Sequence, residues 1–429
     1  MRFAEAVARL DERQPEHMPE PSLDRIRAIA ELLDDPQLTF PTIHVTGTNG
    51  KTTIARAAAA VACAHGITTG LFTSPHLLTV RERLSVCGLD ISEEEFAEEW
   101  SHLQPFLELV DARADVATTY FEAVTALAFL WFADKPVGLG VFEVGMGGSW
   151  DATNLVAGDV AVIGEVGLDH PELGSTVAEV AAEKAGIVKP GKIVVVRDQP
   201  HPQALAVIEG RAAEVDATIL VEGRAWDVEG RLPAVGGQTF RIRGAHAEYD
   251  DLFLPMFGAH AVRNAAAGAV AVEALIGQAL KEEGARSAIA ELRIPGRLEI
   301  AGHGPTVVLD GAHNPAGAGA LAGALRESFT WGRLHVILAV SSNKDLDGIV
   351  EAVAPIVDVW YAAANESVRS FPAEHVAERI AAAGGRIADL GTVGEALATA
   401  RDAAAEEDLI LVTGSLYTVA DARRAMGDL

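Results

Sequence analysis

A chain of 429 residues exceeds what one hydrophobic core ordinarily organises, so two domains are expected, and 49% hydrophobic residues supply interiors for both. A formal net charge of −27 excludes non-specific nucleic-acid binding, which needs a basic surface, and obliges any anionic substrate to be captured by local cations. The longest apolar run, Ala123 to Ala133, is too short to cross a bilayer, and the N-terminus lacks the regions of a signal peptide, so a cytoplasmic protein is expected.

In chain order, the first decisive segment is His44-Val45-Thr46-Gly47-Thr48-Asn49-Gly50-Lys51-Thr52-Thr53. An apolar run, Thr42 to Val45, enters a glycine-bearing turn, and an alanine-rich helical segment, Thr52 to Ala64, leaves it. Strand, tight turn and helix start make a phosphate cradle: glycines let backbone N–H groups approach phosphate oxygens, and the helix N-terminus adds partial positive charge. Lys51 supplies a full charge near the outer phosphates, and the Thr52 hydroxyl can reach a magnesium ion. ATP binding is the expectation. Cys63 falls on the apolar side of that helix and reads as a core residue; with Cys87 it makes neither a disulfide framework nor a metal-ligand pattern.

Strand-like runs then alternate with helical ones. Gly70–Thr73, Val137–Val144, Val160–Val166 and Lys192–Arg197 read as strands; Ser92–Asp111, opened by the capping box Ser92-x-x-Glu95, Thr119–Ala133 and Thr176–Val188 read as helices. This alternation predicts an α/β domain with a mostly parallel sheet. Trp226 to Pro255 reads as a small antiparallel insertion, and a helix is predicted over Ala259 to Ile276. Arg293-Ile294-Pro295-Gly296-Arg297 punctuates the chain like a hinge, placed at 294–300. The expected organisation is an ATP-binding domain over 1–293 and a smaller Rossmann-like α/β domain over 301–429. The second has strands at Thr306–Leu309, His335–Val340, Val357–Tyr361 and Leu409–Val412, with helices at Ala316–Glu327 and Ala373–Ala383.

Several strand ends carry chemistry. Glu143, in Val141-Phe142-Glu143-Val144-Gly145-Met146-Gly147-Gly148, ends an apolar strand before a glycine-rich turn and fits a magnesium ligand facing the nucleotide. Ser74 in Ser74-Pro75-His76-Leu77 is placed to coordinate magnesium, although Ser-Pro-His alone is an ordinary turn. Taken singly, His170 in Gly167-Leu168-Asp169-His170 reads as a loop histidine and Lys184 in Glu183-Lys184-Ala185-Gly186-Ile187 as a surface lysine. Arg297 is a cation that domain closure would swing onto a phosphate. In Leu309-Asp310-Gly311-Ala312-His313-Asn314-Pro315, a plain strand-to-helix turn explains Pro315 but not Asp310 and His313 together.

With these segments in order, and with Asp151-Ala152-Thr153-Asn154 and Gly414-Ser415-Leu416-Tyr417 added, the chain resembles the dihydrofolate synthase and folylpolyglutamate synthase family of the Mur ligase superfamily over nearly its whole length. The resemblance implies that Gly47, Thr48, Asn49, Gly50, Lys51 and Thr52 cradle ATP, that Ser74 and Glu143 hold magnesium on its phosphates, and that His170 ligates a second magnesium. Lys184 resembles the lysine that family members carbamylate, and Asn264 matches the adenine-contacting asparagine. Arg297 and Asp310 would meet the nucleotide, His313 and Ser415 would position L-glutamate, and Arg83 and Asp151 match contacts to the pterin-bearing substrate. Phe121 falls in Phe121-Glu122-Ala123-Val124-Thr125-Ala126-Leu127, which resembles a helix common in bacterial bifunctional members and is grouped with the pterin residues. Two departures stand out: Thr52-Thr53 follows Lys51 where the family usually has Gly-Ser, and Ser149-Trp150 precedes Asp151 where it usually has Arg-Leu.

The leading expectation is a monomeric ATP-dependent ligase adding L-glutamate to dihydropteroate, to reduced folates or to both through an acyl phosphate, with no nucleic-acid or membrane partner. A Mur-type wall-peptide ligase is the alternative, disfavoured because only about forty residues precede Thr46, too few for a typical domain. A non-catalytic nucleotide-binding regulator is the other, disfavoured because Glu143, His170, Lys184 and His313 together exceed what ATP binding needs.

Overall fold

The computed structural model describes residues 1–15, 22–168 and 170–427; Asp169 of the expected loop lies outside them. The chain forms two compact units, one of Met1–Arg231, Thr239–Phe253 and Arg263–Leu292, the other of Leu232–Gln238, Leu254–Val262 and Arg293–Leu429.

In the first unit, helices α1 (Phe3–Asp11) and α2 (Asp24–Leu32) precede strand β1 (Thr42–Thr46), helix α3 (Lys51–Ala64) and strands β2 (Thr69–Phe72), β3 (Leu84–Val86) and β4 (Leu89–Asp90). Helices α4 (Glu93–Asp111) and α5 (Tyr120–Asp134), strands β5 (Leu139–Glu143) and β6 (Val160–Ile163), helix α6 (Val177–Ala185), strand β7 (Ile193–Val196), helix α7 (Pro202–Glu214) and strand β8 (Thr218–Val221) follow. The eight strands lie in the order β4-β3-β2-β5-β1-β6-β7-β8. The six from β2 to β8 run parallel, and only β3 and β4 at one edge are antiparallel. Every residue of β1, β2, β5 and β6 is buried, as a sheet covered by helices on both faces requires.

The expected capping box at Ser92 is formed: its side chain accepts from Glu95 N, and Glu95 returns to Ser92 N at 3.0 Å. Thr119 and Thr176 cap α5 and α6 in the same way. One face of the sheet packs on Leu10, Ile29, Phe72, Trp100, Phe129 and Phe142, among others, and a second cluster gathers Ile163, Val180, Ile187, Val194 and Ile208. The helices α1 and α2, unmarked in the sequence reading, join the first cluster through residues such as Leu10, Ile26 and Ile29.

Strands β9 (Asp227–Ala234), β10 (Gly237–Arg243) and β11 (Glu248–Leu254) form the small inserted sheet in the order β11-β10-β9, ahead of helices α8 (Ala259–Ile276) and α9 (Glu282–Glu291). The fully buried Glu273 of α8 holds the turn before β11 by accepting from Ala245 N, His246 N, Ala247 N and the Tyr249 hydroxyl.

The second unit carries β12 (Glu299–Gly302), β13 (Thr306–Leu309), α10 (Pro315–Ser328), β14 (Leu334–Leu338), α11 (Leu346–Val353), β15 (Val359–Ala364), α12 (Ala373–Ala382), β16 (Ile387–Thr392), α13 (Val393–Ala403), β17 (Leu409–Thr413) and α14 (Leu416–Met426). Its sheet order is β12-β13-β17-β14-β15-β16, parallel from β13 to β16 with β12 antiparallel at the edge. The α/β architecture expected for both parts is therefore present. Among the described residues no helix is long and apolar enough to cross a membrane.

The cysteine reading is corrected. Cys63 and Cys87 are joined in a disulfide with Cα atoms 5.7 Å apart, and Cys63 is half-buried rather than a core residue. The antiparallel turn from β2 to β3 carries Cys87 back beside Thr69, where Cys87 N donates to Thr69 O at 3.0 Å, close to the end of α3. A pairing made by strand return leaves no mark in the spacing of the two residues.

Candidate active site

The chain crosses from one side of β1 to the other between β5 and β6, so the order of connection reverses around β1. A crevice opens at the carboxyl ends of parallel strands at such a point. The loop after β1 is the predicted phosphate cradle. Gly50 adopts φ 80° just before α3, and any side chain there would run into the Asn264 amide of α8. Glycine is required at this position both for its backbone conformation and for that approach. Gly50→Ala is therefore expected to displace Asn264 and weaken nucleotide binding at least about tenfold, read by titration calorimetry with ADP.

Three strand ends are laced together around the cradle. Thr46 Oγ1 donates to Gly147 O at 2.7 Å, Thr48 N to Glu165 O at 2.8 Å, and Thr48 Oγ1 exchanges bonds of 2.9 and 3.0 Å with Gly167. Lys51 Nζ curls over the loop to Gly47 O at 3.0 Å and Thr48 O at 3.5 Å. Lys184, on α6, is no surface lysine: it is buried, and its Nζ donates to Gly47 O at 3.0 Å. Gly47, Thr48, Lys51, His170 and Lys184 line one pocket with Gly145–Gly147, while Asn49 sits half-buried in the turn.

Beside them Glu143 is 1% exposed; its Oε1 accepts from Thr52 Oγ1 at 2.9 Å and its Oε2 from Ser74 N at 3.3 Å. The Thr52 departure thus places a hydroxyl directly on the carboxylate. The Glu143 carboxylate and the Thr52 hydroxyl, with Ser74 beside them through its backbone N–H, offer the oxygen donors a hard divalent cation takes, so the residues present fit magnesium.

On the far side of the glycine-rich turn lie the residues grouped with the pterin. The Phe121 ring lies so close to the backbone of Gly145 that a side chain at 145 would collide with it. Arg83 is buried, donates to His76 Nδ1 at 2.8 Å and stacks its guanidinium over Tyr120 at 5.3 Å. Asp151 is enclosed in its own loop, accepting from Met146 N at 3.0 Å, Thr153 N at 3.0 Å and the Thr153 hydroxyl. Thr153 Oγ1 also meets His44 Nε2 at 2.8 Å. Burial pushes the Asp151 carboxyl up to about 6 and holds His44 neutral, down at about 3. Because the folded Asp151 binds its proton more tightly than an unfolded one, it favours the fold below about pH 4 and loses that contribution as pH rises through 6. Asp151→Asn is expected to abolish this part of the pH slope in denaturant titrations between pH 4 and 7. At Ser149, one of the departures, the backbone N–H and the Oγ both donate to Glu183 O at 3.0 Å.

Sequence reasoning missed Arg197 and the strand histidine His44. Arg197 is buried at the end of β7, donates to Asn264 Oδ1 at 2.7 Å and pairs with Glu222 at 3.4 Å. It thereby orients the amide expected to contact adenine. The available signal was a charge closing an apolar strand, and at His44 a polar residue inside one.

In the second unit the candidates again follow strand ends. Asp310, after β13, accepts from Leu298 N at 2.9 Å and Ala312 N at 2.8 Å; burial raises its carboxyl, opposed by the Arg297 charge. Arg297 lies against Gly311, within 3.5 Å of Gly296 O. His313 Nδ1 is 3.0 Å from Gly311 O. Ser415 caps α14, its Oγ accepting from Thr418 N at 3.1 Å and from Asn365 Nδ2 at 3.2 Å. Since β13 pairs with β17, the loops bearing His313 and Ser415 leave neighbouring strands.

Residues 45–272 match the Mur ligase middle domain and residues 296–416 the Mur ligase glutamate ligase domain, so the class is that of the Mur ligases. The dihydrofolate synthase/folylpolyglutamate synthase of Mycobacterium tuberculosis is 38% identical over 97% of this chain and 92% of its own length. That of Bacillus subtilis is 32% identical over 95% of each. The M. tuberculosis folylpolyglutamate synthase structure complexed with ADP and AMPPCP superposes with a TM-score of 0.93 at 36% identity, covering 99% of this chain and 98% of that one. E. coli FolC in complex with DHPP and ADP gives 0.89 at 29%, covering 100% and 98%. The chain belongs to the dihydrofolate synthase/folylpolyglutamate synthase family of Mur ligases.

Proposed function

We propose that this chain is an ATP-dependent ligase that joins L-glutamate to dihydropteroate, to reduced folates, or to both. The observation that carries the reading is the meeting of Lys51 and Lys184 on Gly47 O beside the buried Glu143, with Thr52 and Ser74 on its two oxygens. A substrate carboxylate oxygen attacks the γ-phosphorus and ADP leaves; the glutamate amine then attacks the acyl carbon, phosphate leaves, and the amine's proton passes to solvent. Magnesium, when bound, offsets the charge on the phosphates. Glu143, Thr52 and Ser74 would hold one ion, and His170 with Lys184 a second. Gly47 to Thr52 cradle the phosphates with Lys51 as their fixed cation, while Arg197 keeps Asn264 turned for the adenine. Arg83, Phe121 and Asp151 serve the pterin side, Arg297 and Asp310 the nucleotide, and His313 and Ser415 the incoming glutamate.

The carbamylation of Lys184 belongs to this reading. A carbamate retains one N–H on Nζ, enough to keep the bond to Gly47 O, and places an anionic oxygen beyond it. Lys184→Ala is expected to lose about a hundredfold in turnover, with partial recovery on adding short carboxylates. Intact mass spectrometry showing only unmodified lysine, together with indifference to bicarbonate, would count against the modification. The test of the function itself is ADP release with ATP and L-glutamate, offered dihydropteroate or tetrahydrofolate. Release with neither acceptor would end the proposal.

A further inference from the structure

Away from the nucleotide site, α4 and α5 bring together Glu99, His102 and Asp134. Glu99 and His102 are three residues apart on α4, hence on one face, and Asp134 is the last residue of α5. One ligand atom from each lies within 4.8 Å of the others. His102 and Asp134 are exposed, whereas Glu99 is 8% exposed. Its Oε2 is shut away from solvent with no hydrogen-bond partner among the described residues.

A carboxylate oxygen buried without a donor is costly, and a second carboxylate beside it adds to the cost. Asp134 also sits at the negative end of the α5 dipole, where an anion is unfavourable and a cation favourable. The adjacent cation Lys135 forms its salt bridge with Glu95 and meets Glu99 through its charge alone. Three independent features therefore call for positive charge at one point.

We propose that Glu99, His102 and Asp134 form a binding site for a divalent transition-metal ion, with zinc as the type case. One imidazole and two carboxylates are a nitrogen and oxygen set that suits zinc better than magnesium, which prefers oxygen alone. Ligand atoms of a zinc site with bonds of about 2.1 Å stand roughly 3.4 Å apart. The exposed His102 and Asp134 side chains rotate inward to reach that spacing, while Glu99 is held in place by its burial, and water completes the coordination. The bound ion ties α4 to α5, both of which contribute to the core on one face of the sheet. It takes no part in the ligase reaction, so the proposal stands apart from the functional reading above.

The test is titration of the full chain with zinc chloride in the absence of nucleotide, in the wild type and in Glu143→Gln, where the nucleotide-side metal ligand is disabled. One zinc equivalent is expected in both. It should weaken by at least about tenfold in His102→Ala and in Asp134→Asn, two exposed replacements that leave the core intact. Cobalt(II) should give a visible absorption band that disappears in the same two variants. ADP release at saturating magnesium should be unchanged in His102→Ala. No zinc equivalent that survives Glu143→Gln, or an affinity unaltered in both surface variants, would overturn the proposal.

Discussion

Lys51→Ala is expected to lower ADP release by about a thousandfold, a loss of about 4 kcal/mol of transition-state stabilisation, while leaving the thermal midpoint nearly unchanged. The side chain lies over the cradle with its Nζ on two loop carbonyls, so its structural contribution includes a pair of part-buried hydrogen bonds to a loop. Such bonds contribute little net stability. On the proposed reading its charge, by contrast, offsets the negative charge that the phosphoryl group carries between two oxygens. The measurement is a coupled ADP assay on a variant whose circular dichroism and melting curve match the wild type. A folded variant with near-normal release would remove the phosphate-loop assignment.

Glu143→Gln separates metal binding from structure. The amide keeps the size of the side chain, and its carbonyl can still accept from Thr52 Oγ1, but its NH2 group would face Ser74 N where the carboxylate accepted. That mismatch is expected to cost about 1–2 kcal/mol of stability. Loss of the negative charge should cost far more in activity: about a hundredfold at ordinary magnesium, with the magnesium dependence displaced to higher concentration. Kinetics across a magnesium series, compared with denaturant unfolding of the same variant, distinguish the two effects. An unchanged rate at every magnesium concentration would make Glu143 a structural residue.

The cradle, the helices and the strand sequence were readable because they depend on local pattern. Apolar runs ending in glycine or a charge mark strands of a covered sheet, and Ser92-x-x-Glu95 marks a helix start, which the structure realises at α4. The early helices α1 and α2 were harder: each is nine residues long and contributes only two or three buried side chains, too short a pattern to stand out. The edge strands β3 and β4 and the short β12 are two to four residues long, and they pair antiparallel through contacts that a linear reading does not contain.

The composition, the strand-and-helix alternation and the strand-end placement of Gly47–Thr52, Glu143 and Asp310 were determined by the sequence itself, because each rests on residue type and short spacing. Only the tertiary structure decided where the long-range partners fall. Lys184 reads as a surface lysine in isolation and is buried against Gly47 O, 137 positions away; Arg197 meets Asn264 across 67 positions; Cys63 meets Cys87 through the return of a strand. The reason is physical. A hydrogen bond or a cross-link between distant residues depends on which strands lie side by side, and here the sheet order, with β5 inserted between β1 and β2, brings together loops that the chain itself keeps far apart.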